Sequence, residues 1–402
     1  MKKYDYIIAG SGCAGLSLAY KLSKDPDFNH KNILIIDKDD KNTNDRTWCF
    51  WTDKETPYDS IIKYSWSSLA YSSDKKTVVT PLSRFRYKLI RGIDFYNFTL
   101  SAIRKRKNFE FIKATVSNIN AIQGGAQVVA DGKYYEADYV FDACFHLQQV
   151  RSLLKPGSYQ LQHFMGWEVQ FEEKLFDLST ATLMDFRTPQ HGNARFVYVL
   201  PFATDKALVE YTVFSGHTLA KEDYELALST YIEKCWPGKK YEILNKEYGV
   251  IPMTEQSLSV HQSSRIVPIG TMGGAVKPTT GYAFLRIQKQ TDQIVSELKQ
   301  GLSPLGSLLT KKRYRFYDRL LLNILEFYGD QSKPIFDRLF YNNKMDRILT
   351  FLDENASLAQ EIRIFLMLPK WPFFRAIWEV YFQDKTKNTK AATIQEVTVK
   401  RI

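Results

Sequence analysis

A mixed α/β fold, α+β in its overall arrangement, is predicted by three observations along this 402-residue chain. Near the start, the apolar run DYIIA leads into Gly10-Ser11-Gly12-Cys13-Ala14-Gly15, then LSLAYKLSK with helical spacing, then NILIID ending at Asp37. In the middle, HFMGWEVQF, ARFVYVLPF and ALVEYTVF have strand composition with polar turns between them. Beyond residue 300, large apolar residues recur at helical spacing among lysines and arginines. The expected parts are therefore 1–158, a nucleotide-binding part; 159–260, a sheet-based part beside it; 261–300, a segment returning to the first; and 301–402, a helical part.

The first element rests on order as much as on composition. A strand, a G-x-G-x-x-G turn, a helix and a second strand ending in an acid make a dinucleotide corner of Rossmann type. Gly10 permits the tight turn, Gly12 lets the backbone touch a pyrophosphate, and Gly15 lets helix and strand pack closely. The helix N-terminus offers N–H groups and partial positive charge to phosphates. Asp37 would accept hydrogen bonds from a ribose, and Ser11, Ala14, Lys38 and Arg46 complete the candidate nucleotide contacts.

Residues 109–145 read as several short strands with turns at Gly124-Gly125 and Asp131-Gly132. Regular βα alternation, the pattern of a nicotinamide-binding fold, stops there. A meander inserted in a Rossmann-type half resembles the glutathione-reductase-like flavoproteins, which implies FAD and a late segment that returns to complete the flavin site. IGTMGGAVKPTTGYAF, between the strand-like RIVPIG and the helical FLRIQKQTDQIVSEL, is the candidate for it. Gly270, Met272, Gly273, Gly274, Pro278, Thr280 and Gly281 are the expected contacts. A helix beginning near Thr280 would aim its N–H groups at the isoalloxazine ring; Lys277 either adds charge there or is an exposed loop lysine.

In the middle part, ARFVYVLPF-ATDK-ALVEYTVF reads as a hairpin and KEDYELALSTYIEKC as a helix. With 44% hydrophobic and 25% charged residues, the chain is globular material with a substantial core. Four widely spaced cysteines without C-x-x-C fit reduced thiols, and six histidines without ligand spacing predict no metal. The basic, apolar N-terminus could pass for a signal peptide, but Asp5 and the glycines argue against it. No apolar run reaches about 18 residues, so no spanning helix is expected. Of the net charge of +11, residues 301–402 carry 17 Lys+Arg against 11 Asp+Glu. Their interleaving with RFYDRLLLNILEFY and LPKWPFFRAIWEVYF suggests either a solvated helical face or a surface resting on an anionic membrane. The expected location is cytoplasmic, peripheral on the inner face of the cell membrane. Nucleic-acid binding is disfavoured because the basic residues match no recognition motif.

A more specific resemblance lies in DRTWCFW (45–51), FMGWEV (164–169), MDFR (184–187), FVYVLPF with LVEYT (196–212), GVIPMT (249–254), GTMGGAVKPTTGYAF, FDRLF and FLDENASL. Taken together and in this order, they resemble the lycopene cyclase family of the bacterial β-type. The resemblance implies lycopene and other ψ-end carotenoids as substrates, closed to β-rings by way of γ-carotene to β-carotene. It also implies a reduced, anionic FAD, NAD(P)H as its reductant, and no net redox change. A unit charge about 4 Å from a developing cation is worth about 4 kcal/mol at an effective dielectric of 20. Matching the glutamate of LVEYT makes Glu210 the acid, which must then raise its pKa by about 3 units to be protonated at neutral pH. Glu168 and Asp185 are second candidates, for final proton removal or for holding Glu210, with an ion pair to arginine as the alternative for each. The chain has one carboxylate in LVEYT where plant members have two, and Gly270-Thr271 where related flavin hydroxylases have Gly-Asp. An FAD-dependent monooxygenase or polyprenyl reductase, or a carotenoid or flavin carrier without chemistry, are the alternative readings.

Overall fold

The computed structural model describes residues 3–145, 159–256, 258, 263–308 and 310–380. The last residues of the expected helical part, and 146–158 at the first expected boundary, lie outside them.

The first sheet has the order Phe109–Lys113, Ile33–Asp37, Lys3–Ala9, Lys133–Asp142, Gly125–Ala130, Val116–Ile122. The four strands nearest the glycine corner run parallel, and the two central ones, Lys3–Ala9 and Ile33–Asp37, carry buried apolar residues on both faces. Ile8, Ile33 and Ile35 pack under the helices Cys13–Lys24, Gly92–Ile103 and Phe284–Lys299, while Ile7, Leu34 and Ile36 pack on the opposite side. The Lys133–Asp142 strand is long enough to serve two partners: its first half pairs with the hairpin strand Gly125–Ala130, its last three residues with Ile266–Pro268. The return segment thus enters the nucleotide part along the stretch of that strand edge which the meander leaves uncovered.

The second sheet has the order Tyr241–Thr254, Tyr159–Phe171, Lys206–Ser215, Ala194–Pro201, Thr180–Asp185, Ser68–Ser72, Thr77–Pro81. Two of these strands come from the region read as the nucleotide part; Ser68–Ser72 joins in parallel with Thr180–Asp185. GVIPMT is the end of a 14-residue strand rather than a separate piece. A small third sheet, Thr47–Thr52, Arg86–Arg91 and Tyr64–Trp66, bridges the two larger ones.

Period-two alternation decides what each face of the second sheet meets. Val209, Tyr211 and Val213 pack against the helix Lys221–Cys235. Leu208 and Phe214 point the other way, toward the C-terminal helices Lys312–Phe327, Ser332–Asn342 and Met345–Leu352. Leu358–Met367 and a helical stretch over 370–380 complete that layer. Glu210 shares the face of Leu208, so it is turned toward the interior between the layers.

Candidate functional site

The nucleotide corner is built as its glycine spacing demands. Gly10 has φ +94°, and a Cβ on Gly15 would lie 2.0 Å from the carbonyl oxygen of Gly10. A Cβ on Gly12 would meet nothing within 4 Å. The Cys13–Lys24 helix starts there with no side-chain cap on its N–H groups. Asp37 accepts hydrogen bonds from the backbone N–H and hydroxyl of Ser11 and from the backbone N–H of Asp39. Lys38 is exposed and stands outside the cavity described below; Lys41, which the sequence reading did not single out, lines it and lies 3.6 Å from Asp37.

The return segment differs from expectation in two places. Its helix begins at Phe284, not near Thr280, because the Lys277 carbonyl accepts from Thr280 and Gly281 and holds a separate turn ahead of it. Lys277 is neither an exposed loop lysine nor turned toward the corner's open side. Its ammonium is buried between Asp318 (2.7 Å) and Glu354 (2.9 Å), tying the corner to the C-terminal helices. Gly273 is a packing glycine, with Pro268, Gln290 and Gly306 where its Cβ would be, and Met272 is buried against Leu258. Gly274 is exposed and Pro278 half-buried, and neither lines the cavity. Gly270 lies against Ala14, where its Cβ would approach that of Ala14 to 2.7 Å. Gly281 has φ +72° and faces Gln162, whose Oε1 would lie 2.1 Å from an added Cβ.

A cavity of about 580 Å³ opens between these pieces. Gly12 and Ala14 line it, together with Gly270, Thr280–Phe284, Arg46, Glu210 and Glu247. Both helix N-termini, that of Cys13–Lys24 and that of Phe284–Lys299, face it without side-chain caps. Gln162 Oε1, on its wall, is buried without a hydrogen-bond partner among the described residues.

Among the residues on its wall, the Glu210 and Glu247 carboxyls stand close enough to act on each other. Both side chains are half-buried and line the cavity. Burial, then the neighbouring Glu247 carboxyl, push the pKa of Glu210 well above the usual carboxyl range. Burial also raises Glu247, but Thr47, Glu210 and Arg46 oppose it. Glu247 escaped the sequence reading. Its one signal was Gly166, an isolated glycine inside the strand-like FMGWEV, which marks a close approach from a neighbouring strand.

The other two acids stand apart from the cavity. Asp185 points to the opposite face, held by Arg187 (2.6 Å) and the Tyr231 hydroxyl (2.7 Å); the ion pair offered as its alternative is the arrangement present. Glu168 shares the face of Glu210 but lies 3.5 Å from Lys206 and does not line the cavity.

A second cavity, about 440 Å³ and walled mainly by apolar side chains, meets the first at Tyr198, Thr280 and Tyr282. The Tyr282 hydroxyl lies 2.7 Å from that of Tyr87 and also contacts Tyr198. This cavity runs past Phe196, Phe336 and Phe340 to Phe316, Ile362 and Phe374 on the C-terminal helices.

The family model described as "Lycopene cyclase protein" matches residues 5–378. The chain belongs to that family. A lycopene beta-cyclase from Pseudescherichia vulneris is 24% identical, over 95% of this chain and 98% of its own. Lycopene beta cyclase of Nicotiana tabacum is 26% identical over 70% of this chain and 57% of its own, and capsanthin/capsorubin synthase of Citrus sinensis 24% identical over 71% and 58%. The chain thus spans somewhat under two thirds of the length of these plant relatives. Among solved structures, a geranylgeranyl bacteriochlorophyll reductase-like protein of Thermoplasma acidophilum aligns with TM-score 0.57 at 13% identity, covering 94% of this chain and 96% of that one. The flavin-dependent brominase Bmp2 aligns with TM-score 0.57 at 13% identity, covering 95% and 100%. Halogenase PltM, in complex with phloroglucinol and FAD, gives 0.54 at 14%, covering 87% and 82%. At such identities these structures speak for the fold. The mixed α/β architecture expected from the sequence is the one they share. Within this lycopene cyclase family member, the matched span takes in both cavities and the carboxyl pair.

Proposed function

We propose that this chain is a lycopene β-cyclase, an isomerase that closes the ψ-ends of lycopene to β-rings by proton-initiated cyclisation, with FAD in the nucleotide corner. The observation that carries the reading is the Glu210 carboxyl, its pKa raised by burial and by Glu247, on the wall of a cavity that meets an apolar cavity at Tyr198 and Tyr282, in a chain of this family.

The cavity fits FAD by its chemistry. Gly10, Ser11, Gly12, Ala14 and Gly15 would receive the pyrophosphate at the first helix N-terminus, and Asp37 with Lys41 the ribose. Gly270, Thr280 and Gly281 would flank the ring, with the partnerless Gln162 Oε1 as an acceptor on the wall. When bound and reduced by NAD(P)H, FAD would supply negative charge, of the kind that lowers the energy of a nearby carbocation.

The protein's own part is confinement and proton transfer. A hydrocarbon has no polar handle, so its position must come from the apolar walls. Glu210 would protonate the terminal double bond, and the next double bond would then attack the tertiary cation. Tyr87, Tyr198 and Tyr282 line that place with aromatic faces, each able to stabilise a cation by about 0.5–2 kcal/mol. Burial above all, and then Tyr282 and Glu210, hold the Tyr198 phenol far above its ordinary pKa, so it remains neutral and adds no competing charge. Anaerobic assay of the purified, flavin-loaded chain on lycopene tests the reading. We expect many β-rings per reductant consumed and none with oxidised flavin; one reductant per product would favour a reductase or monooxygenase.

Among the described residues no helix is long and apolar enough to cross a membrane. Around the outer end of the apolar cavity, however, Ile362, Leu366, Trp371, Phe374 and Trp378 are exposed, Trp371 to 75%. Apolar side chains beside a basic segment support peripheral docking on the inner face of the cell membrane, where a carotenoid could pass directly into the cavity. Trp371→Ser with Phe374→Ser is expected to weaken co-sedimentation with anionic vesicles about tenfold; unchanged binding removes this face from the proposal.

A further inference from the structure

Neighbouring strands lie about 4.8 Å apart, so residues two strands away in register are separated by nearly 10 Å. Glu210 and Glu247 are such a pair. Gly166 of the strand Tyr159–Phe171 is the register partner of Glu210 on one side and Glu247 on the other, and Tyr198 lies beyond Glu210 in the same row. All point to one face. Two glutamates in this arrangement reach each other only if the residue between them has no side chain. A Cβ on Gly166 would stand 2.9 Å from Leu208 Cδ1, 3.0 Å from Glu247 Cγ and 3.1 Å from its Oε1. Glu247 therefore lies across the gap that Gly166 leaves, and LVEYT, with its single carboxylate, obtains its second acid from another strand.

The two ends of the pair are unlike. Thr212 Oγ1 donates to Glu210 Oε1 at 3.1 Å, and among the described residues no cation acts on that carboxyl. Thr47 Oγ1 donates to Glu247 Oε2 at 2.9 Å, and the Arg46 guanidinium stands close enough to favour its charge. Cys49, Tyr198 and Tyr282 face the pair as neutral groups, and Glu168 acts weakly on Glu247 as a distant anion. Charge is thus favoured on Glu247 and the proton on Glu210.

Resting on the cyclase reading, we propose that Glu210 and Glu247 share one proton across the Gly166 gap, Glu247 serving as the proton acceptor that ends each ring closure. The Glu210 O–H bond breaks as a C–H bond forms at the terminal alkene, and the next double bond forms the ring C–C bond. A C–H bond beside the resulting cation then breaks, its electron pair becomes the ring double bond, and its proton goes to Glu247. The proton then returns to Glu210 through a hydrogen bond formed between the two carboxyls. Nothing is oxidised or reduced, and the pair ends as it began.

The test is a double-mutant cycle on the full, flavin-loaded chain with lycopene: Glu247→Gln, Gly166→Ala and the two combined. Glu247→Gln is expected to lower kcat about 100-fold at unchanged flavin content. Gly166→Ala, which moves Glu247 without removing it, should lower kcat about tenfold, with no further loss in the combined variant. The protonated-carboxyl infrared band of Glu210 should titrate at lower pH in Glu247→Gln, because an anionic neighbour is gone. A wild-type rate in Glu247→Gln, an unmoved band, or a full Gly166→Ala penalty on top of Glu247→Gln overturns the proposal. Should the wild type itself form no rings, or Glu210→Gln keep full activity, the cyclase reading or its acid assignment fails instead.

Discussion

Glu210→Gln is expected to leave flavin bound and to lose ring formation, by about 10³-fold or more in kcat. The amide keeps the volume of the side chain and can still accept from Thr212, so the fold has little reason to change. What it lacks is a proton that an alkene can take; removal of a positioned general acid costs typically 10²–10⁴-fold. The same substitution alters stability in a direction fixed by the raised pKa. An unfolded glutamate ionises near about 4.3. Above that pH the unfolded chain sheds the proton while the folded chain keeps it, so folded Glu210 binds more protons than unfolded Glu210. Stability therefore falls as pH rises from that point to the folded value, by about 1.4 kcal/mol per unit of separation. Urea melts at pH 5 and pH 8 should show the wild type losing more stability than Glu210→Gln over this interval. An equal loss, or a smaller one, would mean that Glu210 is not held as the acid.

Gly281→Leu is expected to abolish stoichiometric flavin binding, and activity with it, while the chain still folds. Two effects combine. The backbone at φ +72° strains any L-residue by about 1–2 kcal/mol, and the new Cβ would lie 2.1 Å from Gln162 Oε1. Gln162 can swing away because only its flexible end is struck, but the rest of the leucine then occupies the cavity between the two helix N-termini. Visible absorbance of the purified variant against protein concentration checks this. Gly281→Ala should be milder; a full complement of flavin in the leucine variant would place the ring elsewhere.

The parts of this site that were legible in advance are those written in consecutive residues. Gly10, Gly12 and Gly15 act within one turn, and Asp37 ends the next strand, so spacing alone carries their geometry. Glu210 was legible as a strand residue, but its surroundings were not, since LVEYT alone does not say what lies over the face that Glu210 occupies. The start of the return helix was misplaced because the turn closed by the Lys277 carbonyl uses residues that are also compatible with a first helical turn. Asp185 illustrates the converse: the register shifts between Thr182 and Asp185, so alternation along the strand could not say whether its carboxylate meets the cavity or Arg187.

By itself, then, the amino-acid order determined a glycine-rich strand–turn–helix corner, two sheets' worth of strands, a basic aromatic helical end and membership of a family, because each follows from local period, turn chemistry or ordered motifs. The tertiary structure alone decided that Glu247 joins Glu210, that Lys277 belongs to Asp318 and Glu354, and that an apolar cavity ends beside the acids. These depend on register between strands and on packing between layers, and neither is encoded by the neighbours of any one residue: Gly166 has meaning only when the strands on both sides of it are in place.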